Sequence, residues 1–401
     1  MTGINVVISA AMIVAVAALV SAAARRSTIW RAATTPLASI IGSGFLVLGP
    51  LLAYAYGAAA PLVMIALCAV AFAFGGAIRY QMAQSVNLKD ADLRYLSVLD
   101  TISSWALAFA YIVSIAYYVN LFGAFAASIV SSASNDHSEH IALTALGVIL
   151  VIGLTRGFDG LELVEKLVVG LKLVIIAGLL AALALYFSEH APQRHVVLES
   201  ASVEGWEGVS LAFGLLVTVQ GFETSRYLTT TYSVDVAAKS MRLAQIVASL
   251  IYIAYIALLT YSLEPSERIL SETAIIDMMT VIAPILPGLL LVAALSAQLS
   301  AAIADMGGAG GLFSQISKGF LSTKAAYAVI AIVAVLVTLS SNVFEIIGYA
   351  SRAFAAYYAL QSAQSAIVAK HVGAPLRTIA SFAGLSALAA AITIFGTSVE
   401  V

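Results

Sequence analysis

Cysteine is almost missing from this 401-residue chain, with Cys68 alone. That excludes a disulfide framework and a cysteine-based metal site. Charge is scarce too. Asp, Glu, Lys and Arg make up 10% of the residues, against about 25% in an ordinary soluble domain. The five histidines (His137, His140, His190, His195, His371) fall in predicted loops or at helix ends. No His-His, Cys-His or Asp-Asp constellation lies at membrane depth, so an intramembrane enzyme is disfavoured and no metal or cofactor is expected. The net charge of −2 says nothing about partners, and no nucleic-acid partner is expected. Long polar stretches are also absent, so no soluble domain is expected. The longest loops, near 188–206 and 264–275, read as short caps.

Apolar surface takes their place. Hydrophobic residues are 62% of the chain, and the mean hydropathy is +1.02. This composition predicts an all-α polytopic membrane protein with lipid as its surroundings. About twenty apolar residues cross a bilayer core. Cutting at charges, Pro and Gly predicts spans over 3–24, 33–56, 58–80, 95–131, 140–156, 160–187, 207–232, 240–263, 276–305, 324–341, 343–369 and 375–396, about twelve in all. The first is an extra helix, and the others are core helices 1 to 11.

Positive charge predicts the orientation. Arg25, Arg26, Arg31, Arg79, Lys89, Arg94, Arg156, Lys239, Arg242, Lys318, Lys324, Lys370 and Arg377 fall in loops on one side, and only Arg194 and Arg268 on the other. The basic side is cytoplasmic by the positive-inside rule. No Lys or Arg precedes the first apolar run, while Arg25 and Arg26 follow it, the reverse of a signal peptide. The expectation is a retained helix, N-terminus outside, in the plasma (inner) membrane.

Core helix 1 contains "LASIIGSGFLVLGP", with Gly42-Ser43-Gly44 at its middle and Pro36 and Pro50 around it. Core helix 6, "SLAFGLLVTVQGFETSRYL", has a second weak point at Gln220-Gly221. The two are five crossings apart, an odd number, so a second set of five helices runs inverted to the first. Paired Gly-interrupted helices in corresponding places of two halves point to a transporter site at the midplane. A break frees N–H and C=O groups that hydrocarbon cannot satisfy, and the N-terminus of a half-helix suits a carboxylate. The competing reading is that small residues merely let helices pack closely.

"SIIGSGFLVLGP" resembles the helix 1 signature of the amino acid–polyamine–organocation (APC) transporter superfamily. "VQGFETSRYL" is similar to its helix 6, and "GLELVEKLVVGLKLVIIAGLL" to its helix 5. The resemblance implies the leucine-transporter-type fold, two inverted five-helix repeats with discontinuous helices 1 and 6. Its parts here are the extra helix and basic loop (1–31), a first repeat (32–188), a second repeat (189–370) and a C-terminal helix (371–401). It also implies that a substrate carboxylate meets Gly42, Ser43 and Gly44, with Ile41 beside them. The amine would meet Val219, Gln220 and Gly221, flanked by Phe222 and Glu223. Lys172 matches a helix 5 lysine that replaces a sodium ion in many sodium-independent members. The chain departs from the pattern at Thr230-Thr231, where paired glutamates are frequent, and at Arg226, where the family is commonly small and apolar.

Ionisable residues inside a membrane are expensive and functional by default. Lys172 lies about 18 Å into core helix 5 at 1.5 Å per residue. It reads as an ion surrogate or proton carrier bridging core helices 1, 5 and 8, or as a permanently paired lysine. Glu223 and Arg226, three apart, share a helix face. They form a substrate-amine or proton site, an internal pair holding the inner gate, or the lining of a wet vestibule. Arg352 either selects an anion or pairs with an acid, or is structural. Glu162, Glu165 and Lys166 read as interfacial. Asp305 reads as the cytoplasmic end of core helix 8, and "GGAGG" after it as a flexible turn. Ser296 and Ser300, one turn apart, are placed to ligate sodium with helix 1 carbonyls, which a lysine there would exclude. Tyr111, Ser114 and Phe222 are candidates to close over a ligand, or plain packing. The expected function is sodium-independent secondary transport of an amino acid or related small amine, proton-coupled or exchanging. The alternatives are transport of an organic or inorganic anion on the same fold, and a membrane sensor or scaffold that does not transport.

Overall fold

The computed structural model describes residues 2–42, 44–84, 93–129, 135–157, 162–190, 200–263 and 271–398. Among these every regular element is helical. Lys89, Arg194, His195 and Arg268 lie outside the described residues, as do the side chains of Arg25, Arg94, Glu162, Glu165 and Lys166.

The extra helix is α1 (Thr2–Val20), followed by the short basic α2 (Ala22–Arg26). Core helix 1 is split into α3 (Thr28–Ile40) and α4 (Gly44–Tyr56). Then come α5 (Ala60–Gln84), α6 (Leu93–Ala127), α7 (Asn135–Thr155) and α8 (Glu162–His190). Core helix 6 begins as α9 (Gly205–Gly214) and continues as two 3-10 stretches, Leu216–Val219 and Phe222–Thr230. The chain ends with α10 (Val234–Ser262), α11 (Ala274–Thr280), α12 (Leu286–Ile316), α13 (Thr323–Ser340), α14 (Val343–His371) and α15 (Leu376–Phe395).

Among the described residues, nine helices are long and apolar enough to cross a membrane unaided. The difference from twelve has physical causes. Core helix 1 is interrupted, so its second half is counted with α5 across the turn at Gly57–Ala59. Core helix 6 is divided into pieces of 10, 4 and 9 residues. The span of α14 carries Arg352, Gln361, Gln364 and Lys370, which lower its hydropathy.

Two expectations are corrected here. The predicted span 276–305 is two elements, because Pro284 and Pro287 separate α11 from α12. "GGAGG" is not a turn but the continuation of α12 to Ile316. Its glycines let neighbours approach. A Cβ on Gly308 would touch the Tyr111 ring of α6 at 3.6 Å, and one on Gly310 would overlap the Tyr327 ring of α13. Packing therefore overrides the low helix propensity of glycine. Asp305 consequently lies in the helix interior, buried.

The core is a large apolar cluster that runs from Ile8 of α1 to Ile392 of α15, beside a small one of Ala77, Ala369 and Phe382. Helix α6 is its axis and packs along α7, α12 and α14, while α10 packs along α3 and α5. Helix α1 packs on α8, and most of its length is exposed. Gly178 makes that seam, since a Cβ there would stand 3.0 Å from Met12 Cγ and 3.2 Å from Ile8 Cγ2.

Candidate functional site

Helix α3 ends at Ile40, and Ile41 leaves helical geometry with φ −83 and ψ 64. Helix α4 resumes at Gly44. Ser43 lies outside the described residues. The break falls where Gly-Ser-Gly placed it, and its carbonyls are then occupied from two sides. Lys172 Nζ, on buried α8 surface, donates to Ala38 O at 2.9 Å and to Ile41 O at 3.0 Å. The Tyr252 hydroxyl of α10 reaches Ile40 O at 3.0 Å. An ammonium on carbonyl oxygens is a charge-assisted arrangement, roughly twice as strong as a neutral bond.

Core helix 6 breaks over a longer stretch. After α9, Gln220 is extended and Gly221 is left-handed at φ 114. A side chain at Gly221 is blocked twice. The conformation suits glycine, and a Cβ would stand 2.6 Å from Ser39 C and 2.8 Å from Ile40 N. The two breaks therefore touch through Gly221. The Ser351 hydroxyl of α14 accepts from Val217 N at 2.9 Å and donates to Gly214 O at 2.6 Å. Tyr252 also reaches Thr218 O at 2.7 Å, so one hydroxyl serves carbonyls of both breaks.

Glu223 is fully buried. Its Oε2 accepts from Gly221 N at 3.0 Å and from the Tyr358 hydroxyl at 2.8 Å. Its Oε1 has no hydrogen-bond partner among the described residues. Phe222, Tyr358 and Phe74 stack in a row, with centroids 5.1 and 5.2 Å apart. Gln220 is buried, and its Oε1 is also without a hydrogen-bond partner among the described residues. Across the helix 1 break, a Cβ on Gly42 would touch the Tyr118 hydroxyl at 3.6 Å, and one on Gly44 the Tyr117 hydroxyl at 3.1 Å. Tyr111 packs edge-on against Phe354, and both Tyr111 and Tyr118 lie within electrostatic reach of Glu223 and Asp305. Ser114 is buried on the same helix.

Not every expected residue joins this cluster. Arg226 does not pair with Glu223, because Glu223 turns back onto Gly221 N. It reaches α6 instead and bonds Asp100 at 2.6 Å. Arg352 is exposed and donates from Nε to Thr393 O of α15 at 2.9 Å, so it is a helix–helix tie outside the site. Ser296 donates to its own helix, at Val292 O (2.7 Å) and Ala293 O (3.1 Å). Ser296 and Ser300 are only half-buried.

Tyr252, Ser351 and Tyr358 were missed. A sequence signal existed for the tyrosines: Tyr is enriched at membrane interfaces, so Tyr inside an apolar span, as in "IYIAYI" and "FAAYYAL", marks polar work inside. For Ser351 there was none, since a serine in an apolar helix is unremarkable in packing.

Comparison with known proteins decides the family. A family model described as an APC superfamily transporter matches residues 22–396. The chain belongs to the APC superfamily of transporters. An uncharacterized protein of Aquifex aeolicus (strain VF5) is 38% identical over 389 residues, covering 94% of this chain and 92% of that one. Among solved structures, Mhp1, a nucleobase-cation-symport-1 family transporter in a closed conformation with bromovinylhydantoin bound, matches with a TM-score of 0.57. The identity is 10%, with 84% of this chain and 77% of that chain covered, so the likeness is one of fold. This APC superfamily member accordingly has the leucine-transporter-type fold. It is a multi-pass membrane protein.

Proposed function

We propose that this transporter moves an amino acid or related small amine without sodium, by alternating access around the two breaks. The observation that carries the reading is the Lys172 ammonium on Ala38 O and Ile41 O. These carbonyls are the oxygens a hard cation would need, and a resident ammonium occupies them and supplies the charge. The substrate carboxylate would sit on the backbone at Gly42–Gly44, at the start of α4, where the helix dipole favours an anion. The amine would face Val219 to Glu223. Glu223, with one oxygen unpaired, is the group for the amine or for the coupling proton. An anionic substrate has less support, since Arg226 is engaged by Asp100 and Arg352 lies outside. In this reading residues 32–188 and 189–370 are the inverted repeats. Helices α3, α4, α5, α9 and α10 rock against the others, the membrane is the plasma membrane, and the N-terminus is outside.

The test is a thermal-shift screen of purified protein, with and without sodium, against α-amino acids, polyamines, nucleobases and organic anions, repeated on Gly42→Leu. A ligand of the folded state raises the melting temperature. A shift with an α-amino acid or amine, indifferent to sodium and lost in Gly42→Leu, is the expected result. A shift that requires sodium, or that only anions produce, refutes it.

A further inference from the structure

The half of α14 that ends in Lys370 and His371 carries Gln361, Ser362, Gln364 and Ser365, all fully or almost fully buried. In a membrane such groups need partners inside the protein. Part of the demand is met between helices. Gln361 Nε2 donates to Ser103 Oγ of α6 at 2.9 Å, and Gln364 Nε2 points at the same oxygen at 3.4 Å. Gln81 of α5 donates to Gln364 Oε1, and Ser365 Oγ to Ala77 O at 2.8 Å.

The rest is not met by the described residues. Among these, Gln361 Oε1, Ser362 Oγ, Ser225 Oγ and Glu223 Oε1 are buried and without hydrogen-bond partners. Polar residues that only glue helices together would pair with one another, and a half-satisfied buried network is unfavourable unless something else completes it. Water is the group that completes such networks, through two to four bonds to buried polar atoms. The four oxygens lie on two elements joined by the Tyr358–Glu223 bond. Gln361 and Ser362 follow Tyr358 by one turn of α14, and Ser225 follows Glu223 by two residues.

We infer that these oxygens line a hydrated path along which a proton passes between Glu223 and the basic end of α14, the cytoplasmic side in the reading above. The inference rests on Glu223 being the coupling carboxyl. In the step, the Glu223 O–H bond breaks, and the proton goes to the first water and from water to water into the cytoplasm. The carboxylate left behind keeps the Gly221 N–H and the Tyr358 hydroxyl as donors. The titratable groups around Glu223 are Tyr358 and Tyr357 of α14, Tyr111 and Tyr118 of α6, and Tyr227. The neighbouring charges are the Arg226–Asp100 pair and, beyond Tyr111 and Tyr118, Asp305 of α12. Gln361, Ser362 and Ser225 would be positioning residues, ordering water and touching no substrate.

Infrared spectroscopy of the full chain in nanodiscs tests this without a substrate. The Glu223 acid band is identified by its loss in Glu223→Gln, and transfer to D2O shifts it as the proton exchanges. The exchange is expected to slow by about tenfold in the double variant Gln361→Leu/Ser362→Ala, a barrier rise of about 1.4 kcal/mol. Ser362→Ala and Ser225→Ala, which remove a hydroxyl and add no volume, should each slow it by a smaller factor and serve if the double variant does not fold. An acid band that exchanges at the parent rate in all variants overturns the path and leaves Glu223 as a proton carrier. If no Glu223 acid band forms at any pH, the path and the proton reading fall together.

Discussion

Core helix 1 and core helix 6 are both interrupted near the middle of their length, and both release backbone carbonyls, but different chemistry receives them. At helix 1 an ammonium from α8 takes Ala38 O and Ile41 O. At helix 6 neutral hydroxyls of Ser351 and Tyr252 hold Gly214 O, Val217 N and Thr218 O, and the helix's own Glu223 takes Gly221 N. One break thus receives the Lys172 amino group and the other a buried carboxyl. The proposed amino acid substrate, a zwitterion, would set its carboxylate toward the first and its amine toward the second. The contrast also separates roles. A single side chain sustains much of the first break, while several weaker bonds share the second.

The largest expected effect comes where the breaks touch. Gly221→Val should cost more than about 3 kcal/mol, because a left-handed backbone and a backbone-to-backbone contact both oppose it. Loss of the folded monomer in size-exclusion chromatography would report it. A well-folded, stable variant would mean the breaks do not press on each other. Lys172→Ala comes next. It removes two charge-assisted bonds from the buried helix 1 break, about 3 kcal/mol, read as a lower denaturation midpoint. If sodium occupies the vacated carbonyls, added sodium should restore part of the loss in this variant and none in the parent.

Smaller changes address the helix 6 break. Ser351→Ala leaves Val217 N and Gly214 O unpaired, at about 1–3 kcal/mol. Tyr252→Phe should cost a similar amount and disturb both breaks, since its hydroxyl serves Ile40 O as well. A double-mutant cycle between Tyr252→Phe and Lys172→Ala should show coupling, and one between Ser351→Ala and Lys172→Ala little or none. Equal coupling in the two cycles would erase the distinction drawn here. The smallest effect is expected from Arg352→Ala. Its single bond to Thr393 O is exposed, so stability should fall by no more than about 1 kcal/mol, and ligand-induced thermal shifts should not change.

Much of the site was legible because breaks leave a mark in residue type. Gly42, Gly44 and Gly221 have low helix propensity, and inside an apolar run that cost needs a reason. Lys172 was legible because charge in hydrocarbon always needs one. Arg352 was misleading for the same reason: the rule flags any buried-looking arginine, and only the helix's rotation shows that its side chain turns outward onto α15. Arg226 was misplaced because spacing puts it on a face with Glu223 and cannot show that α6 offers Asp100.

By itself the sequence determined the class, the approximate helix spans, the positions of both interruptions and the few charges inside apolar runs. These follow from composition and local periodicity, which act over a few residues and need no partner. Tertiary structure alone decided what satisfies each break. That Lys172 meets Ala38 and Ile41, more than 130 positions away, and that Tyr252 bridges both breaks, are products of helix packing. Packing also drew α12 through its glycines to Ile316 and buried Asp305. A hydrogen bond between distant segments depends on helix rotation and depth together, and neither is written in the residues of one helix.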